Sequence, residues 1–230
     1  MHKSTFPFIN SKLKFIEKSH KYFLDDIEFM SVTTWLSSFD EPFNPYKISE
    51  QVSKNPNSEY FGMDPEVIRK LWAKTGPRGT KKHNSIEDWL TGKTDYCDEK
   101  NFLINLGITP ENSWSEVTLC SEKLLLSGTA DIITRIDKDV FKIWDIKTST
   151  KIGRDKLEKF SKQILTYGLL LKHMSDRPIK IIPGDIISIM PTSGISEGVN
   201  DGFLDAKIVS IDLSVKSSFR NMVKHRQKNI

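Results

Sequence analysis

The sequence holds two cysteines, Cys97 and Cys120, in 230 residues. They form no C-x-x-C pair and sit near no histidine cluster, so an iron–sulfur cluster held by four cysteines is excluded by count, and both are expected to be reduced structural thiols. No apolar run approaches the ~20 residues of a membrane-spanning helix. The opening Met-His-Lys-Ser-Thr-Phe leads into no signal-peptide core, which sets the expectation of a cytoplasmic protein. Internal repeats and low-complexity tracts are missing too. Charge of one sign is scarcely in excess, with 34 Lys and Arg against 30 Asp and Glu, a net charge of +4. A pI near 8.9 suits a polyanionic partner without requiring one.

What is present is an ordinary globular composition, 37% hydrophobic and 28% charged, with enough chain for one sizeable core. Within it, two β-rich segments carry carboxylates where a core normally holds Val or Ile. Ser127 to Ile136 contains Asp131, Val140 to Thr148 contains Asp145, and the polar tripeptide Asp137-Lys138-Asp139 reads as the hairpin loop between them. If the loop is centred on Lys138, Asp131 and Asp145 are each seven positions away and face each other across an antiparallel pair, Cβ atoms ~5 Å apart.

Lys147 falls on the same face, one period beyond Asp145, while Trp144 and Ile146 take the opposite face for packing. Two opposed carboxylates repel, more so when buried, and a cation removes the conflict. The donor set suits Mg²⁺ or Mn²⁺, with the lysine positioned to hold a water or to neutralise phosphate charge. Read from these residues alone, the trio is equally a strand-borne salt bridge.

The flanking residues carry a resemblance. Gly128-Thr-Ala-Asp131, then Asp145-Ile-Lys147, then Gln163-Ile-Leu-Thr-Tyr167 resemble, in order, the G-x-x-D, (D/E)-h-K and Q-x-x-x-Y series of the PD-(D/E)XK nuclease superfamily. The match is closest to its RecB-type branch, which includes phage exonucleases and the mitochondrial genome maintenance exonuclease. Gly79-Thr-Lys-Lys-His83 is similar to the branch's upstream histidine motif, and Trp114-Ser-Glu116 to its first acidic position.

The resemblance implies an α/β, restriction-endonuclease-like core with a mixed central sheet flanked by helices, plus an N-terminal helical lobe. It implies a Mg²⁺ or Mn²⁺ site of Asp131, Asp145 and the Ile146 carbonyl, aided by Glu116 and His83, with Lys147 positioning the attacking water and hydrolysis leaving a 5′-phosphate. Gln163 and Tyr167, with Thr148, Ser149 and Lys151, are the implied contacts to nucleic acid or braces of the site. The expected activity is a DNA exonuclease of recombination, repair or replication, with single strands or ends as substrate. A structure- or sequence-selective endonuclease, or a non-cutting nucleic-acid-binding module on the same fold, remains an alternative.

Elsewhere, short strands are predicted between Leu13 and Met30, then a helix from Ser31 to about Phe39, with Pro42 and Pro45 breaking the chain. Two separate helices follow, Asp64 to about Lys74 and Thr80 to Leu90, parted at Gly76, the second placing His83 and Glu87 on one face. A long helix from Asp155 to Lys172, strands at Asp185–Met190 and Ala206–Leu213, a Gly-rich loop from Thr192 to Gly202 and a last helix from Val215 to Gln227 complete the chain. Residues 1–110 are expected to form the N-terminal strands and lobe and 111–230 the nuclease core, together one compact unit.

Basic runs at Arg78–Lys82 and Lys151–Lys162 flank the expected site and read as phosphate contacts, whereas Lys216–Lys228 reads as a solvated face. The aromatics Trp35, Phe39, Phe43, Tyr46, Tyr60, Phe61, Trp72 and Trp89 are expected mostly in the core, and any left exposed would suit base stacking.

Overall fold

The structure is a computed structural model that describes residues 5–19, 21–148, 152–191 and 203–230. Ser149, Lys151 and the Thr192–Gly202 loop of the sequence reading lie outside the described residues.

The chain begins with an antiparallel meander, β1 (Leu13–Ile16), β2 (Lys21–Leu24) and β3 (Ile27–Ser31). Ser31 ends β3 and caps α1 (Val32–Ser37), its hydroxyl accepting the Thr34 N–H at 3.0 Å. Pro45 does not break the chain as expected. It is the first residue of α2 (Pro45–Lys54), because Asn44 accepts the Tyr46 and Lys47 amides at 3.1 Å each and proline suits a helix start.

The two helices expected around Gly76 are a single one, α3 (Pro65–Leu90), which runs through Pro77. A proline disrupts one turn. Packing holds both flanks: rings from α2 and the Tyr60 turn lie against the first half, while Ile86, Trp89 and Leu90 of the second half enter the core under the sheet. The helix stops where expected, with Gly92 at φ +73° just past its end.

The short helix α4 (Lys100–Asn105), which the sequence reading missed, precedes the central strands β4 (Ser113–Ser121), β5 (Leu126–Asp137) and β6 (Val140–Thr148). Then come α5 (Arg154–Met174), β7 (Lys180–Pro191), β8 (Phe203–Ser210) and α6 (Lys216–Lys228). β7 begins five residues before its expected start. Its Pro183-Gly184 pair sits in a register shift opposite Ile143, which hides the strand period. Any side chain at Gly184 would collide with the Ile143 carbonyl, so the shift requires glycine there.

The strands form one mixed sheet in the order β1-β2-β3-β5-β6-β7-β8, with β4 paired to β5. The N-terminal meander joins it through a short parallel pairing of Met30 and Ser31 with Leu126 and Ser127. One face packs on α1, α5 and α6, in a core that includes Val32, Trp35, Ile133, Phe141, Ile143, Ile164, Tyr167 and Leu170. The other packs on α3 and α4 through Ile86, Trp89, Leu90, Leu103, Ile132, Trp144 and Ile146. The molecule is therefore a mixed α/β fold with helices on both faces of a central mixed sheet. Among the described residues no helix is long and apolar enough to cross a membrane.

Neither core takes a residue between Ser37 and Ser85. The expectation that most of the lobe's aromatics are core is thus overturned. Trp35 and Trp89 are buried, Tyr60 and Trp72 are half-buried, and Phe39, Phe43, Tyr46 and Phe61 are exposed. The physical reason is that this segment packs chiefly on the first half of α3, a single helix that has too little area to cover its rings.

Candidate metal and phosphodiester site

Three carboxylates stand in one row across the sheet. The β5–β6 ladder pairs Ile132 with Trp144, and the same register continued by one residue sets Asp131 opposite Asp145. On the other side of β5, Ser115 pairs with Ile132 and Val117 with Ala130, which brings Glu116 opposite Asp131. The row is Glu116, Asp131, Asp145, running from an exposed residue to one only 1% exposed.

The sheet changes phase at this row. Trp114 and Val117 pack in the same core although they are three apart, as do Ala130 and Ile133. Strict strand alternation forbids that. The inversion is centred on Glu116, whose φ of +49° is left-handed backbone that costs a non-glycine residue about 1–2 kcal/mol. Beside it, the described pairing of β5 with β3 ends at Ser127 and that with β6 begins at Ile132, so Gly128 to Asp131 face a gap where the neighbours splay apart. Asp131 Oδ2 takes up the Ile146 N–H there, at 2.6 Å. The carbonyl of a strand residue points to the same edge as its N–H, so Ile146 presents its oxygen to the same gap.

Lys147 lies on the face of Asp145, as the alternation predicts. Its ammonium donates to Asp145 Oδ1 at 2.9 Å and lies 2.8 Å from Oδ2, which accepts no hydrogen bond. It also sits 4.7 Å from the centre of the Phe160 ring on α5.

His83 approaches from α3. Its Nδ1 is 3.6 Å from Glu116 Oε1 and 3.8 Å from Asp131 Oδ1, and donor atoms of His83, Glu116 and Asp131 all lie within 4.8 Å of one another. Two contacts explain how α3 comes so close. A methyl group at Gly79 would meet Thr148 Oγ1 at 3.0 Å, so glycine lets the helix rest on the end of β6. One residue before His83, Lys82 is buried and ion-paired with Glu99 at 2.8 Å and Asp98 at 2.9 Å. This withdraws Lys82 from the phosphate-contact role expected of its basic run and makes it an anchor for α3. Nothing in a Lys-Lys dipeptide shows which of the two is buried.

Gln163 and Tyr167 sit one turn apart on α5, Gln163 Nε2 donating to the Tyr167 hydroxyl at 3.0 Å. Tyr167 is buried, with its ring so close to Gly128 that a Cβ there would lie 2.9 Å from Cε1. Burial removes Tyr167 from direct contact with a strand and leaves it as a brace of β5 beside Asp131. Glu87, expected on His83's face, is not among the converging donors.

The electrostatics follow from burial and charge. Burial drives the Asp131 carboxyl above its ordinary value, against His83 and Lys147. It raises Asp145 to about 6, with Lys147 opposing and Asp131 assisting. For Lys147, burial acts to lower the pKa, but Asp145 and Asp131 outweigh it and hold the ammonium above its usual range. His83 behaves likewise, burial being outweighed by the neighbouring Glu116 and Asp131 carboxylates. The site thus holds more negative charge than its one lysine satisfies. The oxygen-rich donors and the imidazole fit a hard divalent cation.

No protein-family model matches the chain. No curated protein matches it. Of 17 matching chains among solved structures, one titled "Crystal structure of SSO0001" is 15% identical and has a TM-score of 0.39, over 87% of this chain and 75% of that one. A likeness at that level carries no functional argument.

Proposed function

We propose that this chain is a divalent-metal-dependent nuclease with a restriction-endonuclease-like fold, of the RecB-type branch of the PD-(D/E)XK superfamily, acting on DNA. The observation that carries the reading is the row Glu116, Asp131, Asp145 with Lys147 beside it and His83 above it. A salt bridge alone accounts for Lys147 and Asp145. It does not account for two further carboxylates and an imidazole gathered at a strained strand position.

In this reading Asp131, Asp145, Glu116 and the Ile146 carbonyl, with His83, would hold Mg²⁺ or Mn²⁺. Once bound, the ion supplies Lewis-acid stabilisation of the phosphate and acidifies a water molecule. Lys147 orients the attacking water and offsets negative charge as it grows on the phosphoryl oxygens. Its own ammonium is kept charged by Asp145 and Asp131. Tyr167 and Gln163 hold β5, and therefore Asp131, in place. Attack at phosphorus with loss of the 3′-oxygen leaves a 5′-phosphate. Exonucleolytic action on single strands or ends is the mode we assign, in recombination, repair or replication.

The test is digestion of end-labelled linear single- and double-stranded DNA, circular controls and RNA, with Mn²⁺ and with chelator. Lys147→Ala is expected to lower the cleavage rate ~10²–10³-fold. No degradation by the wild type in Mn²⁺, or equal cutting by the variant, sinks the reading. Loss of circular DNA at the rate of linear DNA turns it to an endonuclease.

A further inference from the structure

The lobe formed by α2, the turn after it and the first half of α3 displays rings that the nuclease chemistry leaves unused. Phe43 is 69% exposed, Tyr46 66% and Phe61 57%. They are not scattered. Phe43 and Tyr60 each lie 5.9 Å from the Trp72 ring, and the Arg69 guanidinium lies 4.7 Å over Tyr46. A cluster of flat faces with an arginine laid over one of them is an arrangement suited to unpaired bases, because every base has a π-face and stacking is tolerant of sequence.

Charge and position say what the rings face. Between Val67 and Lys82 the sequence carries six basic residues and no acidic one. Lys82 is taken up by Asp98 and Glu99 and Lys70 pairs with Glu66 at 2.8 Å, which leaves Arg69 and Lys74 beside the rings as the source of a positive field. Trp72 and His83 are eleven residues apart on the same helix, about three turns, so they share a face at a distance of ~16 Å. A chain gripped at the rings is thereby aligned with the carboxylate row. A protein partner would cover the rings equally well, but it gives no reason for an acid-free basic stretch leading to a phosphodiester site.

We propose that this aromatic lobe is a stacking platform for single-stranded nucleic acid and that it makes an unpaired strand, rather than a duplex, the substrate of the site. The inference rests on the nuclease reading for its destination and on the lobe alone for its binding. Duplex bases are already stacked on one another and offer the rings nothing. The platform therefore discriminates between strands before any chemistry occurs.

Binding of a fluorescein-labelled single-stranded oligonucleotide, measured by anisotropy in chelator so that nothing is cut, tests it. Because Phe43, Tyr46 and Phe61 are exposed, Phe43→Ala, Tyr46→Ala and Phe61→Ala are expected to fold and to weaken single-strand binding about tenfold each, with duplex binding unchanged. Phe43→Leu, which keeps the apolar area but no ring, should lose as much, and Phe43→Trp should restore it. Full affinity in Phe43→Leu overturns the proposal. So does equal loss for single strand and duplex, and so does a dimer in sedimentation that the alanine variants split without weakening oligonucleotide binding. Failure of cleavage with intact, ring-dependent binding sinks the nuclease reading and leaves the platform standing.

Discussion

The two halves of α3 live in different physical surroundings. From Ser85 onward the helix is clamped: Ile86, Trp89 and Leu90 are locked under the sheet, and just ahead of them Lys82 is held by Asp98 and Glu99. Before Pro77 it belongs to a lobe with only Ile68 fully buried among its large apolar residues and with several rings in solvent. The clamped half supplies His83 to the row of carboxylates, within 3.6 Å of Glu116 and 3.8 Å of Asp131. The open half has area to offer and no geometry to defend. Rigid packing and adhesive surface are demands that one short core cannot meet together, and the chain separates them along a single helix.

The sharpest way to break this contrast is to remove one ring at each half, Trp89 from the clamped half and Phe43 from beside Trp72 in the open one. Trp89→Ala is expected to cost about 3–5 kcal/mol of stability, since it empties a filled core site, whereas Phe43→Ala should stay within about 0.5 kcal/mol of wild type. Urea melts of the two variants measure the difference. Similar losses at both positions would mean that the lobe has a core of its own.

A smaller effect concerns the metal and pH. Asp145 is raised to about 6 from an ordinary 3.8, so between those values the folded state holds a proton that the unfolded state has released. The stability this group contributes is present at low pH and lost as pH rises toward 6 and beyond. His83, also raised, acts in the same direction. Without metal, these groups should make the protein less stable at pH 8 than at pH 5. Mn²⁺ needs the same donors deprotonated, so its stabilisation should grow over that interval, reaching about 2.7 kcal/mol at a hundredfold excess over Kd. Thermal melts at the two pH values, with Mn²⁺ or chelator, show it. A Mn²⁺ shift that ignores pH would place the ion away from this row.

The smallest effect expected is a gain. Glu116→Gly removes a carboxylate and relieves left-handed backbone, so stability should rise by about 1 kcal/mol while cleavage falls. Loss of stability in that variant would show that the Glu116 side chain holds the sheet together rather than loading the site.

The opposition of Asp131 and Asp145 was legible because hairpin register is arithmetic. The sequence pattern predicts a loop of three residues centred on Lys138, and the structure has two, Lys138 and Asp139, plus a register shift near Ile136 that restores the missing residue. Gly128 and Gly79 were legible as motif members, but the contacts that demand them, with Tyr167 and Thr148, join segments far apart in sequence.

Other features left no such trace. Glu116 lies in a Ser-Glu-Val run that announces nothing of a positive φ. The parallel contact of β3 with β5 involves two residue pairs and no periodic signal. Gly76 reads as a boundary because glycine weakens a helix locally, and only the packing of both flanks shows that the helix runs on through it and through Pro77. The lobe's rings looked like core because a sequence records that a residue is apolar, not whether anything lies against it.

Pro77 has a mechanical consequence. It offers no N–H to the carbonyl of Ala73, so α3 lacks one rung between Trp72 and His83 and is least stiff there. A load on the lobe is therefore expected to bend the helix at that point before it rotates the imidazole, much as a coupling isolates a tool from the arm that holds it. The lobe and the imidazole are thereby carried by separate lengths of one rod.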